Sequence, residues 1–180
     1  MKTIKQEINI PKTVTLDIAN GEVKVKGSFG ELERNFSYPL IKFSKEEDKL
    51  VISTKKQTKT VKMFMNTYKA HIQNMIQGVS EKFVYKLKIC SGHFPITVAL
   101  ESQSFVIKNF LGEKIPRKTK LPSNVEVKIE GDTITLTSPS KESAGLAASK
   151  IEQATRITGK DRRRFQDGIY IIEKSGKKLK

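Results

Sequence analysis

Hydrophobic and polar residues alternate along the first part of the chain. The alternation runs over residues 14–18 and again over residues 23–25, with Asn20-Gly21 between the two runs. A period of two is typical of a half-buried β-strand, and Asn-Gly is the dipeptide that best suits a two-residue hairpin turn. The sequence therefore predicts a hairpin here, and a further short strand over residues 50–52 after the acidic turn Glu46-Glu47-Asp48.

The period then changes from two to 3.6. Apolar residues between positions 61 and 76 are spaced so that all of them fall on one helical face. This spacing predicts an α-helix near residues 60–77 whose apolar face belongs to the core, and Gly78 is positioned to end it. The residues on that face are Val61, Phe64, Met65, Tyr68, Ile72, Met75 and Ile76.

The second half of the chain shows the same change of pattern. Alternation over residues 83–89 and 94–100 predicts two strands, and Ser91-Gly92 between them favours a hairpin. Ser140 is a good N-cap for a second helix near residues 140–155, with Glu142 in its first turn. The other predicted strands begin at Phe105, Val125 and Ile134, and the helix carries a narrow apolar stripe of Ala144, Ala147, Ala148 and Ile151.

A weak internal repeat links the two halves. Gly30-Glu31 recurs as Gly112-Glu113, an offset of 82 residues, and the strand pattern at 48–54 recurs at 132–138, an offset of 84. Each copy runs from that strand into a helix. The pattern therefore predicts an α+β fold of two duplicated domains, each with small, mostly antiparallel β-sheets and one main α-helix. The predicted bounds are 1–80 for the first domain, 81–172 for the second and 173–180 for a basic tail.

The net charge of the chain indicates which class of partner it binds. Its 180 residues include 34 Lys and Arg against 19 Asp and Glu, a formal net charge of +15, and residues 81–180 carry +9 of it. An excess of this size attracts polyanions, so nucleic acid is the first partner to consider. No apolar run approaches the length of a membrane span and the amino terminus lacks the apolar core of a signal peptide, so we expect a cytoplasmic protein that binds no membrane.

Candidate catalytic chemistry is sparse. The single Cys90 has no second cysteine or His cluster with which to bind zinc, and a packing role is expected for it. His71 lies inside the first predicted helix, and His93 suits a structural role or a phosphate contact better than that of a general base. No glycine-rich phosphate-binding loop occurs. We therefore expect no enzyme, no cofactor, no metal and no small-molecule substrate.

Two segments concentrate positive charge. Residues 108–120 and 156–164 each carry a net charge of +4 and are interrupted by Gly or Pro, which is typical of loops. Such loops present long cationic side chains to a phosphate backbone. Arg162-Arg163-Arg164 is followed by Phe165, which suits bidentate phosphate contacts and stacking. The sequence thus predicts that two basic loops bind folded RNA.

Six short motifs, spread over most of the chain, resemble a known family. They are HIQNMIQGV at 71–79, YKLK at 85–88, HFP at 93–95, NFLGEK at 109–114, IEQAT at 151–155 and FQDGIY at 165–170. Together they resemble the universal large-subunit ribosomal protein L-six family, called L-nine in eukaryotes. The sequence DRRRFQDG at 161–168 is similar to the archaeal and eukaryotic branch, and is more similar to archaeal members than to animal ones.

The resemblance implies a structural constituent of the large ribosomal subunit. It implies binding of large-subunit rRNA, mainly by the second domain, near the sarcin-ricin loop and the base of the factor-binding stalk, with neighbouring large-subunit ribosomal proteins as further partners. The segments 109–120 and 156–168 are the rRNA contacts that it implies. The alternative is a free-standing regulator that binds structured RNA. The candidate rRNA-binding residues are His93, Lys108, Asn109, Lys114, Arg117, Lys118, Lys120, Arg156, Lys160, Arg162, Arg163 and Arg164.

Overall fold

The computed structural model describes residues 4–19, 21–46 and 49–179. The chain divides into two compact units, Met1–Lys82 and Phe83–Lys180. This division falls two residues after the predicted joint, because the first helix continues to Ser80 and Phe83 begins a strand of the second unit. Asn20 of the predicted hairpin turn, and Glu47 and Asp48 of the acidic turn, lie outside the described residues.

The first unit consists of two small sheets and one long helix. Its strands are β1 (Ile4–Asn9), β2 (Thr15–Ala19), β3 (Glu22–Gly27), β4 (Gly30–Asn35), β5 (Lys42–Glu46) and β6 (Lys49–Thr54). They form two antiparallel three-stranded sheets with the orders β1-β6-β5 and β2-β3-β4. The pairing of β2 with β3, in which Ile18 lies opposite Val23, confirms the predicted hairpin. Polar residues dominate β1 and β5, and the sequence pattern did not predict either strand.

The first helix, α1 (Lys59–Ser80), begins where the pattern predicts. Thr58 caps it, because the Thr58 side chain accepts a hydrogen bond from the Val61 amide at 3.3 Å. The prediction that Gly78 ends the helix is wrong: Gly78 is buried inside the last turn. Contacts with the hairpin of β3 and β4 hold the last turn. The Phe29 amide donates to the Val79 carbonyl at 3.1 Å, and Gly27 approaches that oxygen so closely that a Cβ there would lie 2.7 Å from it.

The second unit repeats this plan and adds a hairpin. Its strands are β7 (Phe83–Cys90), β8 (Thr97–Glu101), β9 (Ser104–Lys108), β10 (Arg117–Lys120), β11 (Glu126–Glu130), β12 (Thr133–Ser138), β13 (Gly168–Lys174) and β14 (Lys177–Lys178). The five-stranded sheet has the order β11-β12-β7-β13-β14, and the three-stranded sheet has the order β10-β9-β8. A predicted hairpin between β7 and β8 is wrong, because β7 pairs with β12 and β13 whereas β8 pairs with β9. Alternation identifies strands but not their partners.

The second helix, α2 (Lys141–Ala154), lies on the five-stranded sheet of the second unit. Ser140 caps it as predicted, accepting from the Ser143 amide at 3.2 Å, and Glu142 lies in the first turn. Its alanine stripe and Ile151 are fully buried against the strands. Small side chains at these positions allow the helix to approach the sheet closely.

The strand orders of the two units confirm the predicted duplication and the α+β fold. The sheets β1-β6-β5 and β2-β3-β4 correspond in order to β7-β12-β11 and β8-β9-β10. β6 and β12 are offset by 84 residues, as the repeat predicts. The repeated dipeptides Gly30-Glu31 and Gly112-Glu113 correspond less closely. Gly30 begins β4, whereas Gly112 lies in a 3-10 turn, Phe110–Gly112, that precedes β10.

The structure differs from the prediction of a separate basic tail over residues 173–180. β13 continues through Lys174, and β14 pairs back on it with Lys178 opposite Glu173. The Leu179 amide also donates to the Ile172 carbonyl at 2.8 Å. Residues 173–179 therefore belong to the edge of the five-stranded sheet.

Candidate nucleic-acid interface

Three connecting segments of the second unit meet around the ends of its strands. They are residues 91–96 between β7 and β8, residues 109–116 between β9 and β10, and residues 155–167 between α2 and β13. We call them the three-loop face. The Asn109 side-chain amide joins the first two segments by donating to the Pro95 carbonyl at 3.0 Å. Hydrogen bonds from Arg117 and to Asp167 join the third segment to the others.

Asp167 fastens the first segment to the third. One carboxylate oxygen accepts the Gly92 amide at 2.6 Å and the His93 amide at 2.9 Å, and the other lies 2.5 Å from His93 Nδ1. The His93 ring also stacks on Phe165 with 4.8 Å between centroids. Burial alone would raise the pKa of Asp167, but the hydrogen bonds from His93 and Gly92 outweigh it and lower the pKa below its usual value.

From the sequence we expected His93 to have either a structural role or a phosphate contact. This arrangement gives it a structural role. Nδ1 is hydrogen-bonded to Asp167, so Nε2 is the ring nitrogen that remains for a phosphate contact. Cys90 and His93 line one cleft, but among the described residues no hydrogen bond joins them. The same part of the chain contains no group of three or more His, Cys, Asp or Glu residues placed to hold a metal ion.

Arg117 is the internal clamp of the face. Its guanidinium makes a bidentate pair with Glu113, at 2.8 Å and 2.5 Å, and donates from Nη1 to the carbonyls of Ala154 and Arg156 at 2.9 and 3.1 Å. It also lies 4.3 Å from the centroid of the Phe110 ring. The Arg117 hydrogen bond lowers the pKa of Glu113. This side chain therefore joins the second segment to the end of α2, and has little left with which to bind a phosphate.

The second segment adopts a tightly turned backbone. Asn109, Leu111 and Gly112 all have positive φ angles, of 59°, 48° and 78°. Asn and Gly tolerate this region, whereas Leu adopts it rarely. The Phe94 ring lies 3.6 Å from where a Cβ of residue 112 would stand, so the turn packs on the first segment. The tip that follows leaves Ile115 82% exposed.

Asp161 shapes the arginine triplet. Its backbone carbonyl accepts the amides of Arg164 and Phe165 at 3.1 and 2.9 Å, and its side chain accepts from the Arg163 amide and guanidinium. The hydrogen bonds from Arg163 lower the pKa of Asp161. The turn therefore directs the three arginine side chains differently. Arg163 pairs with Asp161, whereas Arg162 and Arg164 line a cleft of about 720 Å³ beside His93.

A second depression lies next to that cleft. It has a volume of about 330 Å³ and is lined by Arg156, Arg162 and Phe165 among others. Arg162 therefore borders both concave surfaces. Tyr170 also lines both, and its hydroxyl donates to the Gln166 carbonyl at 3.1 Å. Guanidinium groups around concave, partly aromatic surfaces suit phosphate contacts and base stacking.

The structure sorts the candidate residues into two groups. The side chains of one half make contacts within the second unit. Four of these contacts are described above or involve the same loops, and belong to His93, Asn109, Arg117 and Arg163. In addition, Lys118 pairs with Glu101 at 3.5 Å, and Lys160 lies over the Phe165 ring at 4.8 Å. The charged groups of the other half are exposed and have no such partner among the described residues. They are Lys108, Lys114, Lys120, Arg156, Arg162 and Arg164.

The loop-like interpretation of residues 108–120 needs a correction. Lys108 ends β9, and Arg117–Lys120 forms β10, so the connecting loop covers only residues 109–116. β10 pairs with β9, with Lys118 opposite Val106. Threonine and long-stemmed cations suit an edge strand, and a high density of Lys and Arg does not by itself indicate a loop.

Sequence reasoning missed the residues that organise the face. Asp167 and Gln166 lie within the motif FQDGIY, but nothing in the local pattern shows that Asp167 is buried or that it faces His93, 74 residues away. Phe94 was assigned to a strand and instead lies in the first segment, against Gly112. A carboxylate next to Gly in a basic segment is the one local signal that could have indicated a structural anchor.

The chain is similar to one protein family and to several archaeal proteins. It matches the family model described as Ribosomal protein L6 over residues 10–82 and 94–168. "Large ribosomal subunit protein uL6" from Nanoarchaeum equitans is 46% identical, covering 98% of this chain and 96% of that protein. The proteins of the same name from Methanococcus vannielii and Methanobrevibacter smithii are 44% and 45% identical and cover 98% and 95% of this chain, and 97% and 96% of their own lengths.

These matches confirm the resemblance found in the sequence and its archaeal branch. The matched family and the relatives carry the names of ribosomal proteins and not of enzymes. Among the described residues, no helix is both long and apolar enough to cross a membrane.

Proposed function

Because the chain belongs to the ribosomal protein L6 family, we propose that it is a structural component of the large ribosomal subunit and binds large-subunit rRNA through the three-loop face. It acts on the ribosome, where its partners are large-subunit rRNA and neighbouring ribosomal proteins. It supports translation by holding folded rRNA, without chemistry of its own.

One observation carries this proposal. The fold brings Arg156, Arg162 and Arg164 to two adjacent concave surfaces, and none of the three guanidinium groups has an acidic partner among the described residues. Uncompensated arginines repel one another, and a phosphate backbone relieves that repulsion. The hydrogen bonds of Asp167 and Arg117 fix the loops beneath them, so the contacts need little ordering when RNA binds.

The first unit supports a division of labour. Several of its lysines are already paired: Lys24 with Glu33 at 2.8 Å, Lys49 with Glu7 at 2.8 Å, and Lys45 with the Leu16 carbonyl at 2.7 Å. No comparable group of uncompensated arginines occurs among the described residues of this unit. The second unit is therefore the principal rRNA-binding domain, and the first is a platform that contacts other components.

The proposed position on the subunit comes from the family resemblance. It lies near the sarcin-ricin loop and the base of the factor-binding stalk. The face contacts mainly phosphates there, because long cationic side chains on loops fix orientation without reading a sequence.

Sedimentation tests the proposal against the alternative of a free RNA-binding regulator. The tagged full chain is expressed in an archaeal host and extracts are centrifuged at high salt. Quantitative co-migration with the large subunit is the expected result, and a pool that never enters the subunit would contradict it. Arg162→Glu with Arg164→Glu should reduce co-migration, whereas Lys55→Glu with Lys56→Glu, the same change in charge at exposed positions of the first unit, should not.

A further inference from the structure

The outer edge of β1 is open at a place where the sister repeat carries an additional strand. β6 and β12 correspond at an offset of 84 residues, and through their partners Ile8 corresponds to Leu87 and Asn9 to Lys88. β7 is paired on both sides, with β12 and with β13. Among the described residues β1 pairs only with β6. The described residues of the first unit therefore contain no counterpart of β13.

The contacts of β7 show which backbone groups of β1 face the open side. The Ile89 amide donates to Asp132, on the β12 side, and the Val84 carbonyl accepts from Ser175, on the β13 side. Since successive residues of a strand direct their amides and carbonyls to opposite sides, the even-numbered residues of β7 face β13. Their equivalents in β1 are Lys5, Glu7 and Asn9, all of which are exposed.

A groove of about 790 Å³ runs between this edge and α1. Ile8 and Asn9 line one side, and Gln73, Gln77 and Ser80 line the other. The groove occupies the position that β13 fills in the second unit. β13 buries Ile169 and Ile171 there.

The helix side of the groove also keeps a hydrogen-bonding group. In the second unit the Ile169 amide of β13 donates to Thr155 Oγ1 at 3.0 Å. Thr58 and Ser140, the two helix caps, align α1 with α2 at an offset of 82 residues, which places Gln73 at the position of Thr155. The Gln73 amide oxygen is able to accept the same kind of backbone hydrogen bond.

The chemistry of the groove favours a polypeptide over RNA. The eleven described residues that line it include no Lys or Arg, and its only charged side chain is Glu7, which pairs with Lys49. A phosphate backbone requires cations that this surface lacks. An extended peptide requires backbone partners and room for alternate side chains, and the edge of β1 supplies both.

We propose that β1 and this groove bind an extended segment of a neighbouring protein, which adds to the sheet as an antiparallel strand where β13 adds to β7. Apolar residues at alternate positions of that segment lie in the groove, as Ile169 and Ile171 do in the second unit. The inference rests on the proposed function, because the neighbour is a component of the large subunit.

Hydrogen exchange provides the first test. Exchange at β1 is measured by mass spectrometry with residue resolution in the free full chain and in purified large subunits that have incorporated it. The amides of Lys5, Glu7 and Asn9 should exchange at least about tenfold more slowly in the subunit. The inward-facing amides of β1 serve as the internal control, because β6 already pairs with them. An incorporated chain without slower exchange at the three outward amides would overturn the inference and leave the proposed function standing. A chain that does not enter the subunit would contradict both.

A photo-crosslinking residue at Asn9 identifies the occupant. A crosslink to another polypeptide is expected, and a crosslink only to rRNA or to a second copy of the chain would overturn the inference. Glu7→Pro removes the central outward amide, whereas Glu7→Ala loses the same ion pair with Lys49 and keeps that amide. Glu7→Pro should abolish the crosslink and Glu7→Ala should retain it. Equal crosslinking of two folded variants would overturn the inference, and the wild-type measurements decide it if Glu7→Pro does not fold.

Discussion

Replacing Asp167 tests how far one buried carboxylate holds the three-loop face together. Asp167→Ala removes the acceptor of three hydrogen bonds, from the Gly92 amide, the His93 amide and the His93 ring. Hydrogen bonds to a charged group contribute about 1.5–3 kcal/mol each. Gly92 and His93 are exposed, so water replaces part of this, and we expect a loss of about 3 kcal/mol. For a unit of this size that loss corresponds to a decrease in Tm of about 15 °C.

The pH dependence of the difference gives the sharper test. The folded pKa of Asp167 is lower than its unfolded value, so its contribution is complete above about pH 4 and is lost as the pH falls through the folded pKa. The free energy of unfolding of wild type and Asp167→Ala, measured by urea denaturation, should differ most at pH 7, and the difference should shrink as the pH falls below about 4. Asp161→Ala, at an exposed turn, serves as the control. A difference below about 0.5 kcal/mol at pH 7, within the range of ordinary surface substitutions, would refute this reasoning.

Two further predictions concern the clamp and the division of labour. Arg117→Lys should lower Tm and weaken rRNA binding, because a single ammonium cannot replace the bidentate pair with Glu113 and the hydrogen bonds to the end of α2. A Tm equal to that of wild type, measured by calorimetry, would show that these contacts of Arg117 are dispensable. A fragment of residues 83–180 should bind large-subunit rRNA with most of the affinity of the full chain in filter binding, and residues 1–82 weakly, once circular dichroism shows that both are folded; equal affinities would contradict the assignment.

The fold was predictable wherever the pattern of apolar residues was strong. The hairpin of β2 and β3, the apolar face of α1 and the Ser140 cap of α2 follow from local spacing. β1 was missed because it alternates only weakly, and Gly78 failed as a helix end because the contact of Val79 with Gly27 outweighs the low helix propensity of glycine. Long-range pairing decides such cases, and a local pattern contains no information about it.

The candidate site divides in the same way. The exposed arginines Arg156, Arg162 and Arg164 were predicted from charge density, because a segment with many Lys and Arg and few Asp and Glu is visible in a sequence. Arg117 was predicted as an rRNA contact, but its donors are used within the unit. Charge counting cannot separate these two kinds of arginine, since the difference lies in carbonyls and carboxylates that only the fold brings near.

The salt dependence of rRNA binding tests the central claim most directly. The full chain, the variant Arg162→Ala with Arg164→Ala, and the control Lys55→Ala with Lys56→Ala are titrated with large-subunit rRNA at several salt concentrations. Each lost phosphate contact reduces the slope of log K against log salt by about 0.9 on duplex RNA, so the arginine variant should lose about 1.8 and the control nothing. Equal slopes for all three proteins would contradict the assignment of the three-loop face as the rRNA-binding surface.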